Sequence, residues 1–369
     1  MGAMMRAARM HNVGKPMIVE QVEKPIAIGS DVVVEVKGCG MVPNLGNVLA
    51  NWQTWYPQMP LPPLPAIFGL DPVGIVHQVG ANVIAVKPGD RVYVNPGRSC
   101  RACHACGTGE PQKCAYWTLN GYFGYNPNSL DMFRLYPEGG FCEFMRAPQE
   151  ALVKLPDNVP FGQATRFGYL GTSYAALRKC GPLAGRSIII NGATGTLGVG
   201  ATLFALAMGI GRIYAVARGR PLLDRLKALA PGRIETFSNA EGSVAEWVRS
   251  HAPDGADYML DTLGAVASLD AMKDAMGGVR RGGRIVNIGG TAGELGVDVK
   301  WWMDEQMELI GSVWFTAAEG MEIAAMAEAG VIDLSVLEPR AWPLDRINEA
   351  INSVASGEGG FTNYLVTLP

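Results

Sequence analysis

Apolar residues in the first third of the chain fall in short β-branched runs broken by Gly and Pro. Asp31-Val32-Val33-Val34-Glu35-Val36 is one such run, and residues 73–79 and 90–94 form two more. Runs of this length and punctuation predict strands of a small, mostly antiparallel β domain. Leu61-Pro62-Pro63-Leu64-Pro65 predicts an extended segment, because each Pro disfavours helix at the residue before it. The pattern changes near residue 160. From Ser187 onward, apolar strands at 187–191, 213–217, 257–261 and 284–288 alternate with helical patterns that include 197–208 and 222–230. Short, wholly apolar strands between helices predict a parallel sheet covered on both faces, hence an α/β fold class. From about Trp301 the chain mixes helix and strand and carries no motif of its own.

Bulk properties narrow the function classes. The chain has 369 residues, which at roughly 150 per domain predicts two domains. Hydrophobic residues make up 48% and charged residues 18%, enough apolar material for two cores. The net charge is −3 and no long basic run occurs, so neither nucleic acid nor an anionic membrane is an expected partner. No apolar run reaches the roughly 18 residues that span a bilayer. The opening MGAMMRAARMHNVGK lacks the apolar core of a secretion signal. The expected location is the cytoplasm.

Ile188-Ile189-Ile190-Asn191-Gly192-Ala193-Thr194-Gly195-Thr196-Leu197-Gly198 reads as a strand entering a glycine-rich turn and then a helix. Gly192 allows a tight turn, Gly195 the approach of a pyrophosphate, and Gly198 close helix packing. Thr194, Thr196 and Leu197 complete the loop that presents its amides to phosphate. A ribose-binding acid is expected about 20 residues later. That place holds Val216-Ala217-Arg218-Gly219-Arg220, with Arg225 beyond and no Asp or Glu. A guanidinium pairs with a 2′-phosphate that a carboxylate repels, so the pattern favours NADP(H) over NAD(H). The blander reading of Arg218 and Arg220 is a pair of solvated loop charges.

Seven cysteines occur, an odd number, and Cys100, Cys103, Cys106 and Cys114 crowd into one short segment with Cys-x2-Cys-x2-Cys-x7-Cys spacing. Four thiolates close a tetrahedral zinc shell and leave no position for substrate, so the expected ion is one structural Zn2+ in a lobe at about 95–115. An iron–sulfur cluster is the other group such thiols hold. His104 reads as a bystander.

These motifs, in this order, resemble the medium-chain dehydrogenase/reductase superfamily in its zinc alcohol dehydrogenase branch. The resemblance extends to residues 83–94, Gly139-Gly140-Phe141-Cys142-Glu143-Phe144, Gly171-Thr172-Ser173-Tyr174 and Gly282-Gly283-Arg284-Ile285-Val286-Asn287-Ile288-Gly289. It implies a GroES-like catalytic domain over 1–160, a Rossmann domain over 161–303, and a return to the first domain over 304–369. It also implies a nicotinamide contact at Thr172 and a cofactor contact at Gly289. Relatives are usually dimers or tetramers, joined through edge strands of the Rossmann sheet, and the run from Leu309 to Phe315 is the expected edge.

The same resemblance exposes a departure. Where the family has its catalytic-zinc ligands, this chain has Val42, Gly69-Leu70-Asp71 in place of Gly-His-Glu, and Gly168. Val, Leu and Gly cannot bind zinc, and Cys39 is the only nearby thiol. Gly69-Leu70-Asp71-Pro72-Val73-Gly74 looks instead like the motif of zinc-free quinone oxidoreductases and enoyl reductases, which use NADPH. Without a Lewis acid, simple ketone reduction loses several kcal/mol of charge stabilisation. A conjugated C=C needs less help, because charge spreads into an enolate. The leading expectation is therefore NADP(H)-dependent reduction of an activated C=C bond. A zinc-free or zinc-retaining alcohol dehydrogenase or carbonyl reductase and a non-catalytic NADPH-binding protein are the alternatives. By position, Asn44, Tyr56, Asp71 and Tyr169 are the candidate donors, acids and orienting groups, although each also reads as a packing residue. Trp52, Trp55, Tyr56, Trp117, Trp314 and Phe315 predict a pocket for an apolar or aromatic small molecule. The Tyr- and Asn-rich stretch from Ala115 to Glu138 is expected as a lid.

Overall fold

A computed structural model describes residues 2–355, 357 and 359–369. The β-branched runs of the first third form the strands Asp31–Gly40, Asp71–Val79 and Arg91–Val94. These lie side by side in one sheet, ordered Leu152–Lys154, Arg91–Val94, Asp71–Val79, Asp31–Gly40, Thr362–Thr367 and Glu338–Pro343, with Phe144–Pro148 also paired to Asp31–Gly40. The last strands of the chain therefore finish the sheet that the first strands began. Leu365 is opposite Gly40 and Val366 opposite Cys39.

The second sheet is parallel and six-stranded: Ile234–Ser238, Arg212–Ala217, Ser187–Asn191, Ala256–Asp261, Val279–Asn287 and Glu308–Gly311. Its strand order reverses between Ser187–Asn191 and Ala256–Asp261, the place where doubly wound sheets open a ligand crevice at the strand C-termini. Three strands predicted here have the expected cores: Ile188 to Ile190, Ile213 to Val216, and Ile285 with Val286 are fully buried apart from 4% at Tyr214.

The sixth strand corrects the expected boundary at 303. Glu308–Gly311 pairs with Arg284–Asn287 and belongs to the parallel sheet. As an edge strand, with Leu309 43% exposed, it lacks the apolar run that marked the others. Among the described residues no helix is long and apolar enough to cross a membrane.

Candidate active site

The glycine-rich turn behaves as its sequence predicts. Gly192 has φ +86°, where a side chain would be strained, and a β-carbon there would approach Thr262 Oγ1 to 2.8 Å. The Gly192 and Ala193 amides both donate to Val216 O at 2.9 Å, which ties the turn to the neighbouring strand. Gly195 caps the helix Thr196–Ala207, whose first turn carries Leu197 and Gly198. A β-carbon on Gly198 would collide with the backbone of Gly192 and Ala193. The amides of Thr196 and Leu197 thus stand at a helix N-terminus beside the switch point, the usual cradle for a pyrophosphate. Gly289 lies at the mouth of the same crevice. A β-carbon there would come within 2.6 Å of Leu263 O.

Two buried polar groups at this crevice were not singled out in the sequence. Asn191 Nδ2 donates to Asp261 Oδ1 at 2.8 Å across adjacent strand ends. Burial raises the Asp261 carboxyl to about 6, against the pull of Asn191 and the Leu263 amide. The only sequence signal for this pair was an acid and an amide each ending an apolar strand.

Arg218 is exposed just beyond the strand Arg212–Ala217, and among the described residues no carboxylate pairs with it. Arg220 is paired with Glu241, and Arg225 reaches Glu338 at 2.6 Å while stacking on Phe361. Of the three arginines near the expected ribose phosphate, Arg218 is the one with its charge uncommitted.

The other half of the site centres on Asp71. The helix Phe167–Cys180 begins at Arg166 and passes Gly168 beside the strand Asp71–Val79. A β-carbon on Gly168 would fall inside the Asp71 carboxylate. The missing side chain at the third ligand position is thus the space that Asp71 occupies. Tyr93 Oη donates to Asp71 Oδ1 at 2.7 Å. Burial pushes the Asp71 carboxyl up to about 7. Tyr93, the nearby Arg166 charge and the Gly168 amide pull it down without overcoming that desolvation. Arg166 is itself buried, and desolvation lowers its guanidinium to about 10. Its Nη2 donates to Thr362 O, and its Nε has no partner. Tyr169, one turn along the same helix, is half-buried. Burial and the Asp71 charge both raise its phenol, so it stays protonated as a donor. Cys39 is buried beside Asp71 and is raised for the same reasons. Tyr93 and Arg166 were not anticipated as site residues: Tyr93 lies in the 83–94 segment that carries the resemblance but was given no role, and Arg166 belongs to no motif.

A catalytic metal does not fit here. Val42 and Leu70 are buried apolar side chains, Gly168 offers no ligand, and Cys39 and Asp71 remain without a third donor. Among the described residues the cluster of metal-ligating side chains is elsewhere, at Cys100, Cys103, Cys106 and Cys114, whose sulfurs lie within 4.8 Å of one another. Cys103 and Cys106 sulfurs are 3.6 Å apart, and those of Cys100 and Cys114 3.5 Å. A zinc–thiolate tetrahedron has edges of about 3.8 Å, so this set could hold a metal ion.

The remaining expectations divide. Thr172 is buried and its hydroxyl donates to Gly168 O at 2.8 Å, which places it on the helix face that carries the Asp71 contact. Asn44 and Tyr56 flank the helix Leu45–Trp55, and among the described residues no hydrogen bond joins either to Asp71. Tyr56 instead packs on Trp52 at 4.6 Å, and Trp52 stacks on Phe123 at 4.0 Å. The six aromatics expected in one pocket fall into separate groups. Trp55 is exposed. Trp117 packs over Gly97 near the cysteine lobe. Trp314, in left-handed backbone at φ +52°, donates to Asn95 Oδ1 at 3.0 Å. Phe315 covers Gly171. The stretch from Ala115 to Glu138 is not a free lid. Trp117, Leu119, Tyr122 and Phe123 bury into the core, and Asn120 Nδ2 holds Glu138 O at 2.8 Å, so the segment is a fixed wall.

Comparison with known proteins agrees with this architecture. An alcohol dehydrogenase GroES-like domain model matches residues 28–157, and a zinc-binding dehydrogenase model matches residues 196–329. The chain belongs to the medium-chain dehydrogenase/reductase superfamily. It is 29% identical over 357 residues to an alcohol dehydrogenase of Geobacillus stearothermophilus, covering 96% of this chain and 97% of that one. It is 24% identical to human quinone oxidoreductase over 99% of its length and 98% of the relative's. A thermostable alcohol dehydrogenase from Pyrobaculum aerophilum superposes with a TM-score of 0.80 at 24% identity, over 99% of this chain and all of that one, which shows the shared fold. As a member of this superfamily the protein is an oxidoreductase.

Proposed function

We propose that this oxidoreductase uses NADP(H) to reduce a C=C bond conjugated to a carbonyl, without a catalytic metal. The observation that carries the reading is the buried Asp71–Tyr93–Arg166 cluster standing where relatives place zinc ligands. The uncommitted Arg218 supports a 2′-phosphate partner. When bound, the reduced nicotinamide supplies a hydride.

The chain's own residues do the rest. Thr172, Gly289 and the turn from Gly192 to Gly198 orient the dinucleotide. Tyr169, held protonated, donates to the substrate oxygen as it becomes anionic. Asp71 positions Tyr93 and the helix start. Trp52, Tyr56 and Phe123 offer an apolar wall for a hydrophobic or aromatic substrate. The four-cysteine lobe holds one structural Zn2+, in keeping with a reducing cytoplasmic setting. The exposed edge strand Glu308–Gly311 is the face through which a homodimer or homotetramer assembles.

A second reading, a metal-free carbonyl reductase or alcohol dehydrogenase, is favoured by the 29% identity to an alcohol dehydrogenase. One experiment separates the two. The zinc-analysed protein is incubated with NADPH and a panel of aryl enones, and products are resolved by chromatography. Saturated ketones support the enone reading. Allylic alcohols support carbonyl reduction. No product of either kind removes both.

A further inference from the structure

Arg166 lies in the cluster without a partner that uses its full charge. It is 3% exposed, its Nη2 meets a neutral carbonyl, and its Nε meets nothing. Among the described residues no carboxylate stands within ion-pair distance of it. Keeping an under-compensated cation out of water is destabilising by several kcal/mol, so its field must fall on neighbours that answer it. The neighbours that feel it are Tyr169, Asp71 and Tyr364. Tyr169 lies three residues on, on the same face of the first turn, where the positive end of the helix dipole adds to the guanidinium. Tyr169 is partly buried where Arg166 is enclosed, so of the two it is the residue that keeps some surface for a ligand.

We propose that Arg166 is the positioning cation of this site. It supplies through Tyr169 the positive charge that a catalytic metal supplies in zinc-bearing relatives. Tyr169 donates its hydrogen bond to the substrate oxygen, and Arg166, behind it, stabilises the negative charge that gathers there. This rests on the reductase reading above, in which an enolate oxygen forms. The other groups facing the pair are Asp71, Tyr93, Cys39 and Tyr122, all raised by burial. An ionised Asp71 opposes Arg166 at Tyr169, and with its carboxyl raised to about 7 that opposition fades as pH falls below 7 and leaves Arg166 as the charge of the cluster.

The test uses full-length protein as wild type, Arg166→Met, Arg166→Lys and Tyr169→Phe, each checked for a single cooperative melting transition no lower than that of wild type. The first readout needs neither dinucleotide nor turnover: the ratio of yellow phenolate to phenol for bound 4-nitrophenol at neutral pH. The second is the kcat and KM for enone reduction. Arg166→Met is expected to lower the phenolate ratio and kcat about tenfold or more, with KM little changed, and Arg166→Lys is expected to restore much of both. Tyr169→Phe is expected to lower both as well. A folded Arg166→Met protein with wild-type phenolate ratio overturns the proposal. So does a loss of kcat that neither the probe nor the Lys variant follows, because that pattern is structural. If wild-type protein reduces no enone, the reductase reading fails, while the probe still judges Arg166 alone.

Discussion

Asp71 is an acid that no solvent reaches, held by one phenol and one amide in the space left by a glycine. Its titration has a definite sign. The folded carboxyl, near 7, keeps a proton that the unfolded chain releases near 3.8. Its contribution to stability is therefore full below about pH 4 and is lost as pH rises through 7. The difference is on the order of 4 kcal/mol. Asp71→Asn, which cannot ionise, should gain stability relative to wild type between pH 4 and pH 8, by up to about that amount. Urea unfolding at several pH values checks this, and a constant difference would mean that Asp71 ionises normally in the fold. The sequence made Asp71 visible as a departure from Gly-His-Glu. It did not show Tyr93 or Arg166, because neither carries a spacing pattern and both become neighbours only through packing.

Among the elements, the cysteine lobe is the one held by chemistry rather than by a core. The short helix His104–Gly107 has no buried residue, and Arg101 sits at φ +61°. On the structural-zinc reading proposed above, a segment with so little apolar burial would depend on that metal for structure. Cys103→Ser is expected to lower zinc from about one per chain to near zero and to lower the thermal midpoint, while leaving the Rossmann strands protected in hydrogen exchange. Retained zinc at one per chain would show that the thiols do not hold it. The lobe and the strand–turn–helix were both legible because their signals are local. The edge strand was expected at Leu309 to Phe315 through the family resemblance alone, and the structure places it at Glu308–Gly311, inside the parallel sheet and beyond the expected boundary at 303. The stretch from Ala115 to Glu138 was expected as a lid from its Tyr- and Asn-rich composition, but Trp117, Asn120, Tyr122, Phe123 and Tyr136 are buried in place.

At the scale of the molecule, the two halves meet over the dinucleotide turn. Gly360 N donates to Thr194 O at 2.8 Å, and a β-carbon on Gly360 would strike Gly195 O. The end of the chain thus packs on the loop expected to cradle phosphate. Cofactor choice is tested on the other side of that loop. Arg218→Asp should raise the Kd for NADPH by about tenfold or more while weakening NADH far less, because a carboxylate repels the 2′-phosphate and accepts from a ribose hydroxyl. Fluorescence titration of both cofactors checks it. Equal effects on the two would leave Arg218 a solvated charge.

What the sequence determined by itself was whatever a few adjacent residues can state. The glycine turn, the four-thiol spacing and the alternation of apolar strands with helices are all of this kind; the replacement of metal ligands by Val42, Leu70 and Gly168 was visible only through the family resemblance. Tertiary structure decided which polar groups share one buried space. Tyr93 reached Asp71 across a sheet, and Arg166 was anchored by a carbonyl 196 residues further along the chain. A desolvated charge is defined by everything packed around it, and that surrounding is assembled only when distant strands close over it.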